Sequence, residues 1–181
     1  NIFYLNNALA ISPGIRMETG ETNMSGEISY YDSANLPLSI KHVFPLFGIS
    51  TQYRLNEYSR FYAGIGQAYR PVIFKDVIPA SSLDVINPNL KDAYGYNFEA
   101  GVNGKWKGLF SYDASYFHLQ YNNRIGSMVL EDANGNSYNY RTNTGNSVTD
   151  GLELFLEAVP FKGKDNFSIS VFTSTAWMNA R

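Results

Sequence analysis

Residues 48–74, GISTQYRLNEYSRFYAGIGQAYRPVIF, constrain the fold most, because they alternate with a period of two on both sides of a short polar turn. Phe47, Ile49, Thr51, Tyr53 and Leu55 share one phase, and Gly48, Ser50, Gln52 and Arg54 the other. After the turn, Phe61, Ala63 and Ile65 alternate with Tyr62, Gly64, Gly66, Ala68 and Arg70. In an ordinary half-buried sheet the apolar phase meets a packed core and the polar phase carries long charged side chains. Here the polar phase is crowded with glycine, serine and alanine, and that is unusual for a face open to bulk water.

Small and polar residues facing a filled or wetted interior, with apolar residues facing outward, form the inside-out pattern of a membrane β-barrel. A soluble sandwich or barrel is the alternative that this stretch alone leaves open. Aromatic residues make up 15% of the chain, with 14 Tyr and 12 Phe against 2 Trp, which suits strands and largely phenolic interfacial girdles. No window approaches the roughly 18 consecutive apolar residues of a spanning helix, an absence that alternation would produce in any barrel.

The same patterning recurs along the chain. Strands are expected at Ile2–Leu5, Leu9–Met17, Leu46–Leu55, Arg60–Arg70, Tyr94–Trp106, Leu109–Glu131, Asn136–Pro160 and from Phe167 onward. Pro13 lies inside the second of these, where a central strand ordinarily excludes it. Short turns are expected at Asn6-Asn7, Asn56-Glu57, Lys107-Gly108 and Phe161–Asn166, and long or extended connections at Thr19–Val43, Pro71–Asp92 and around Asn134-Gly135. Short turns on one side and long loops on the other are the organisation of outer-membrane barrels, with the loops outside the cell. Asn1 opens within a strand and the apolar run Phe167–Trp177 stops abruptly at Arg181, so the chain reads as a piece of a longer one.

Catalytic chemistry is poorly represented, and no enzyme is expected. His42 and His118 have no neighbours at metal-ligand spacing, the chain has no cysteine, and Gly64-Ile65-Gly66 sits inside a strand instead of opening a helix. Asp132-Ala133-Asn134-Gly135-Asn136 resembles the start of a calcium loop but lacks its closing Glu, and reads as a hairpin tip. A net charge of −2 gives no electrostatic case for nucleic acid. Arg16, Arg54, Glu99, Glu153 and Glu157 are assigned to the interior phase, as hydrated or paired groups facing whatever fills the barrel. Arg70, Arg124 and Arg141, with Asn122 and Asn123, are the candidates for an anionic ligand, since guanidinium groups bind carboxylates bidentately.

Four elements then occur in order: Tyr69-Arg70-Pro71 ending a strand; Asn89-Leu90-Lys91 followed by Glu99-Ala100-Gly101; Tyr121-Asn122-Asn123-Arg124-Ile125-Gly126; and Asn143-Thr144-Gly145 followed by Gly151-Leu152-Glu153. This succession resembles the C-terminal half of the barrel of TonB-dependent outer-membrane receptors, within them the group similar to the ferric dicitrate receptor. The resemblance implies an all-β fold: an antiparallel transmembrane wall of about eight strands, an arc of the 22-stranded barrel of such transporters. On this reading residues 1–181 are part of one barrel domain, with the plug domain and closing strands outside the sequence. The implied activity is import of a ferric chelate across the outer membrane of a Gram-negative bacterium. The implied partners are outer-membrane lipid, the receptor's own plug, and the TonB complex, reached through the missing N-terminal region. No covalently bound cofactor is implied, the ferric chelate being cargo; cobalamin, haem or an oligosaccharide are cargoes of the same architecture. A passive or structural outer-membrane barrel and a soluble carbohydrate-binding β-sandwich stay as alternatives.

Overall fold

A computed structural model of the chain describes residues 1–32, 34, 39–162 and 168–181. The elements are β1 (Phe3–Tyr4), β2 (Leu9–Asn23), β3 (Ser39–Arg54), β4 (Ser59–Arg70), α1 (Phe74–Val77), β5 (Asp84–Ile86), β6 (Ala93–Trp106), β7 (Phe110–Glu131), β8 (Ser137–Lys162) and β9 (Ser168–Ala180). They form one sheet in the order β1-β2-β3-β4-β6-β7-β8, with β9 on β8, and every wall neighbour is antiparallel. β5 alone runs parallel to its partner, adding to β8 at Asn139–Arg141. Without β5 the wall has eight strands joined in sequence, as expected.

Cross-strand pairing separates the two faces. One ladder runs Pro13–Ile49–Ile65–Phe98–His118–Asp150, and another Tyr53–Phe61–Val102–Ala114–Leu154–Thr175. The opposite face carries Gly14–Gly48–Gly66–Asn97 and Ser50–Gly64–Glu99–Phe117. The apolar face is bare: Ile49, Ile65, Leu152 and Trp177 are all exposed. The accessible surface is 12452 Å², where a compact protein of this mass would show about 8,800 Å². A soluble sandwich requires a second sheet over the apolar face, and the described residues form only one sheet.

Local chemistry explains the turns. Asn6 Oδ1 accepts the N–H groups of Ala8 and Leu9, Asn56 Oδ1 that of Tyr58, and Asp132 Oδ1 those of Asn134 and Asn136. Lys107 and Gly108 both have positive φ, 50° and 64°, as a two-residue hairpin turn of type I′ demands. Of the fourth turn, 163–167 lie outside the described residues, including the expected strand start at Phe167, while Phe161 and Lys162 belong to β8. Pro13 is accommodated because the odd-numbered residues of β2 point their backbone groups at β1: Leu9 C=O accepts Leu5 N–H. Its missing donor therefore falls two residues past Ile11, which pairs with Phe3 in β1.

Two expected connections are shorter or more ordered than the alternation indicates. Thr19–Asn23 pairs with Val43–Ser39, so the first loop spans 24–38, not 19–43; the expected Pro37 lies outside the described residues. At that height polar residues occupy both faces, so the contrast that marks a half-buried strand disappears. The connection 71–92 holds α1 and β5, and supplies much of the hydrophobic core. Met24, Val72, Val77, Ile86 and Leu90 pack together with Ile28, Tyr31, Ile40 and Ile125 at the loop end of the wall.

Beside that core the β3–β4 ladder stops at Gly48–Gly66, although β3 extends to Ser39 and β4 to Arg70. Arg54 N–H donates to the C=O of Ala8, the residue just before β2, so odd-numbered residues of β3 address β4. Among these, Pro45 has no donor and Phe47 N–H is capped by Gln67 Oε1 at 2.8 Å. Side chains bridge the seam instead: Phe44 stacks on Tyr69 at 4.7 Å, and His42 Nδ1 lies 2.9 Å from Asp92 Oδ2.

Candidate functional site

The structure places Arg16, Arg54, Glu99, Glu153 and Glu157 on one face, opposite the apolar band, since their ladder partners are Leu46, Arg60, Gly64, Ser115 and Ser111. Arg16 pairs with Glu18 at 2.8 Å, with its side chain largely in solvent. Glu99 joins a network around a residue that the sequence reading overlooked. Tyr62 donates its hydroxyl to Asp113 Oδ1 at 2.8 Å and lies 3.3 Å from Glu99 Oε1. Asn103 donates to Asp113 Oδ2 at 3.3 Å, and Arg60 Nε donates to Asn103 Oδ1 at 2.9 Å. Asp113, Tyr62, Asn103 and Arg60 stood in the right phase in the sequence, but nothing there ties them together across three strands. Glu153 and Glu157 have no ion pair among the described residues.

The Glu-x-Gly element has a packing cause. A Cβ at Gly101 would stand 2.6 Å from the Tyr62 ring, so only glycine lets Tyr62 lie across β6 to reach Asp113. Gly48 and Gly64 differ, because an added Cβ there meets nothing closer than 3.5 Å. Their smallness is not required by the wall and leaves a hollow on this face, lined by Gly14, Gly48, Gly64, Tyr62 and Glu99. Toward the other edge the face becomes aromatic, with Phe155 stacked on Phe172 at 6.2 Å.

At the loop end, Arg70 and Arg141 converge on Asp76, an acid in the apolar run Val72–Ile78 whose side chain is 1% exposed. Arg70 Nη2 lies 3.0 Å from Asp76 Oδ2, Arg141 Nη2 bonds Asp76 Oδ1, and Ile73 N–H donates to Oδ2 at 3.2 Å. Burial opposes the charge of Asp76, but the hydrogen bonds from Arg70 and Arg141 outweigh it and hold its carboxyl below the usual range. Arg70 Nη1 and Arg141 Nε are buried and make no hydrogen bond.

Asn122, Asn123 and Arg124 form an irregularity in β7, with Asn123 at φ 55° opposite Gly145 at φ 132° and its flanks. Asn122 accepts from Gln120 Nε2, Asn123 N–H donates to Asn146 Oδ1, and Arg124 C=O accepts from Thr144 Oγ1. Asn143 ties this point to the loop: its Nδ2 donates to Asn123 C=O and Lys91 C=O, and its Oδ1 accepts Lys91 N–H. Three of the four sequence elements thus meet in space, Asn89–Lys91, Tyr121–Gly126 and Asn143–Gly145. Most of their named polar groups hold the loop against the wall. The Arg124 guanidinium is exposed and has no ion pair among the described residues.

Neither histidine stands in a group able to hold a metal among the described residues. His42 is buried, with Nε2 2.9 Å from Thr22 Oγ1, and Asp92 also accepts Tyr69 O–H and Val72 N–H. His118 lies on the apolar face beside Asp150 at 2.7 Å. Asp132 is consumed by the hairpin tip, where bonds from Asn136 and Asn134 lower its carboxyl.

No curated protein sequence matches the chain. Solved structures do. The siderophore receptor PirA from Pseudomonas aeruginosa is 21% identical, with a TM-score of 0.67 over 99% of this chain and 32% of its own. The copper transporter OprC is 16% identical, with a TM-score of 0.71 over 98% and 28%. The FrpB iron transporter from Neisseria meningitidis, F5-1 variant, is 16% identical, with a TM-score of 0.67 over 99% and 25%. The chain therefore spans about a quarter to a third of the length of these structures, and at such identities they establish the shared fold. The family model described as TonB dependent receptor-like, beta-barrel matches residues 1–181, and with the one-layer, two-faced wall described above it places the chain in that family.

Proposed function

We propose that this wall belongs to an active transporter of the Gram-negative outer membrane that imports a ferric chelate, with energy from the TonB complex. One observation supports this above the rest. A single-layer sheet leaves its large apolar side chains bare on one face and sets a hollow, acidic, glycine-cleared surface on the other. The bare face is read as lipid-facing and the other as the lumen, occupied by the protein's own plug. Glu99, Asp113, Glu153 and Glu157 then offer the plug a set of acceptors, and Gly48 and Gly64 give it clearance.

At the extracellular end Arg124 and the outward edges of Arg70 and Arg141 are the contacts proposed for an anionic chelate, with Asn122 and Asn123 framing them. The chelate is cargo and no covalent cofactor is assigned. Similarity to a siderophore receptor and an iron transporter supports iron as the metal, and the likeness to the ferric dicitrate group rests on the sequence elements alone.

The test is uptake of labelled ferric citrate and several ferric siderophores by a strain that lacks its own receptors and carries the full-length protein. Uptake of one chelate that stops when the TonB complex is disabled is the expected result. Uptake indifferent to TonB would make the protein a passive barrel, and copper uptake without iron uptake would replace the cargo.

A further inference from the structure

Asp76 occupies the place where the carboxylate of a ligand would meet Arg70 and Arg141. It comes from α1, inside the 71–92 connection, and its side chain is 1% exposed between two partly exposed arginines, Arg70 at the end of β4 and Arg141 in β8. A guanidinium meets a carboxylate best through two nitrogens at once, either the Nη1 and Nη2 end or the Nε and Nη2 side. Neither arginine does so here. Arg70 gives Asp76 only Nη2, and so does Arg141. The second nitrogen of each fork, Nη1 of Arg70 and Nε of Arg141, is buried and has no hydrogen-bond partner.

One carboxylate thus holds a single prong of two forks. A buried charged donor without an acceptor is destabilising, so each arginine keeps one strong bond unmade. The charge is uneven as well, with two guanidinium groups on one carboxylate. The attachment of α1 is also local. The ends of the connection are held separately, Val72 N–H donating to Asp92 Oδ1 and Lys91 N–H to Asn143 Oδ1. Of residues 73–78, only Asp76 and Val77 are buried.

We propose that Asp76 is a placeholder, displaced by a chelate that carries at least two free carboxylates, each of which takes one guanidinium by both nitrogens while α1 is released. The proposal rests on the reading of Arg70 and Arg141 as chelate contacts and adds what the pair selects. A single incoming carboxylate only replaces the bonds that Asp76 gives up. A pair of them gains the two unmade bonds in addition, and a neutral chelate gains none. Asp76 therefore acts as a threshold that favours polycarboxylate chelates.

Radiolabelled ferric citrate and a neutral ferric tris-hydroxamate are offered to the purified full-length receptor. Binding is read by equilibrium dialysis, and α1 by amide exchange at Asp76 and Ile78, whose N–H groups donate to Ile73 and Phe74. Ferric citrate should raise exchange at both amides about tenfold or more, and the hydroxamate should leave them unchanged. Asp76→Asn, which removes the competing charge, should bind ferric citrate about tenfold or more tightly than the parent. Ferric citrate bound with both amides still protected would overturn the placeholder, and that readout needs no variant to fold. Equal exchange with the hydroxamate would do the same. So would an Asp76→Asn receptor that binds ferric citrate no better than the parent, since Asp76 would then only orient the arginines. A receptor that does not bind ferric citrate but still takes up another chelate through TonB would refute the placeholder and leave the transporter reading standing. A receptor that takes up no chelate loses both.

Discussion

Replacing Asp76 with Asn tests how the 71–92 connection is held against the wall. The acid is almost fully buried and receives Arg70, Arg141 and the Ile73 N–H. Removing one member of a buried ion pair costs about 3–5 kcal/mol. Here the guanidinium partners are 42% and 29% exposed, so water recovers part of that loss and about 2–3 kcal/mol is the better figure. The loss is local, because Asp76 bonds the loop at Ile73 and reaches the wall through the side chains of Arg70, the last residue of β4, and Arg141 in the upper part of β8, without joining the backbone ladder. It should appear as faster amide exchange at Asp76, Ile78, Asn87 and Asn139, whose N–H groups donate to Ile73, Phe74, Arg141 and Leu83. Protection there should fall roughly 30- to 150-fold in the full-length protein, with β4 and β6 unchanged. Because the folded-state carboxyl is lowered, its contribution is complete above the unfolded value near about 4 and is lost only as pH falls further. Parent and variant should therefore differ equally at pH 5 and pH 8. Exchange unchanged within about threefold at those four amides would refute the argument that this carboxylate anchors the loop.

Gly101→Ala forces Tyr62 off Asp113 and should cost about 1–3 kcal/mol in denaturant unfolding, whereas Gly48→Ala should change stability by about 1 kcal/mol at most. Asn143→Ala removes two bonds from β8 to Lys91 in the loop and one to Asn123 in the β7 irregularity, and exchange at Leu90 and Lys91 should rise about tenfold or more. Leu154→Arg puts a charge in the middle of the bare apolar face, beside Ala114 and Thr175; folding into lipid vesicles should lose about 2–4 kcal/mol, and no loss would remove this face from the hydrocarbon.

How much could be read beforehand varies along the chain for physical reasons. The β3–β4 hairpin was legible from Gly48 to Arg70 because large apolar side chains occupy one face and small or polar ones the other, which writes the period directly into the residues. Thr19–Asn23 and Ser39–Val43 were missed as strands because above the apolar band both faces are polar, and pairing there is set by the hairpin already formed below. β5 has three residues and no periodicity to detect. That Arg16, Arg54, Glu99, Glu153 and Glu157 share the face opposite the apolar band followed from alternation alone. The convergence of Arg70, Asp76 and Arg141 did not, since it joins positions 65 residues apart. A lone acid inside Val-Ile-Phe-Lys-Asp-Val-Ile was the available hint, because a buried carboxylate needs a cationic partner.

The unzipped upper part of β3 and β4 has a mechanical meaning. Below Gly48 the wall is stitched by backbone; above it, the β2–β3 hairpin is held to its neighbour by Phe44 on Tyr69, His42 on Asp92, Gln67 and the small loop core. With no β3–β4 ladder bond above Gly48 and Gly66, the rim is expected to part there like a slit in a sleeve without breaking any of those bonds. The aperture at this point is therefore set by side chains that a few substitutions can retune. Spin labels at 43 and 71 would read the gap, and His42→Ala with Phe44→Ala should widen its distance distribution.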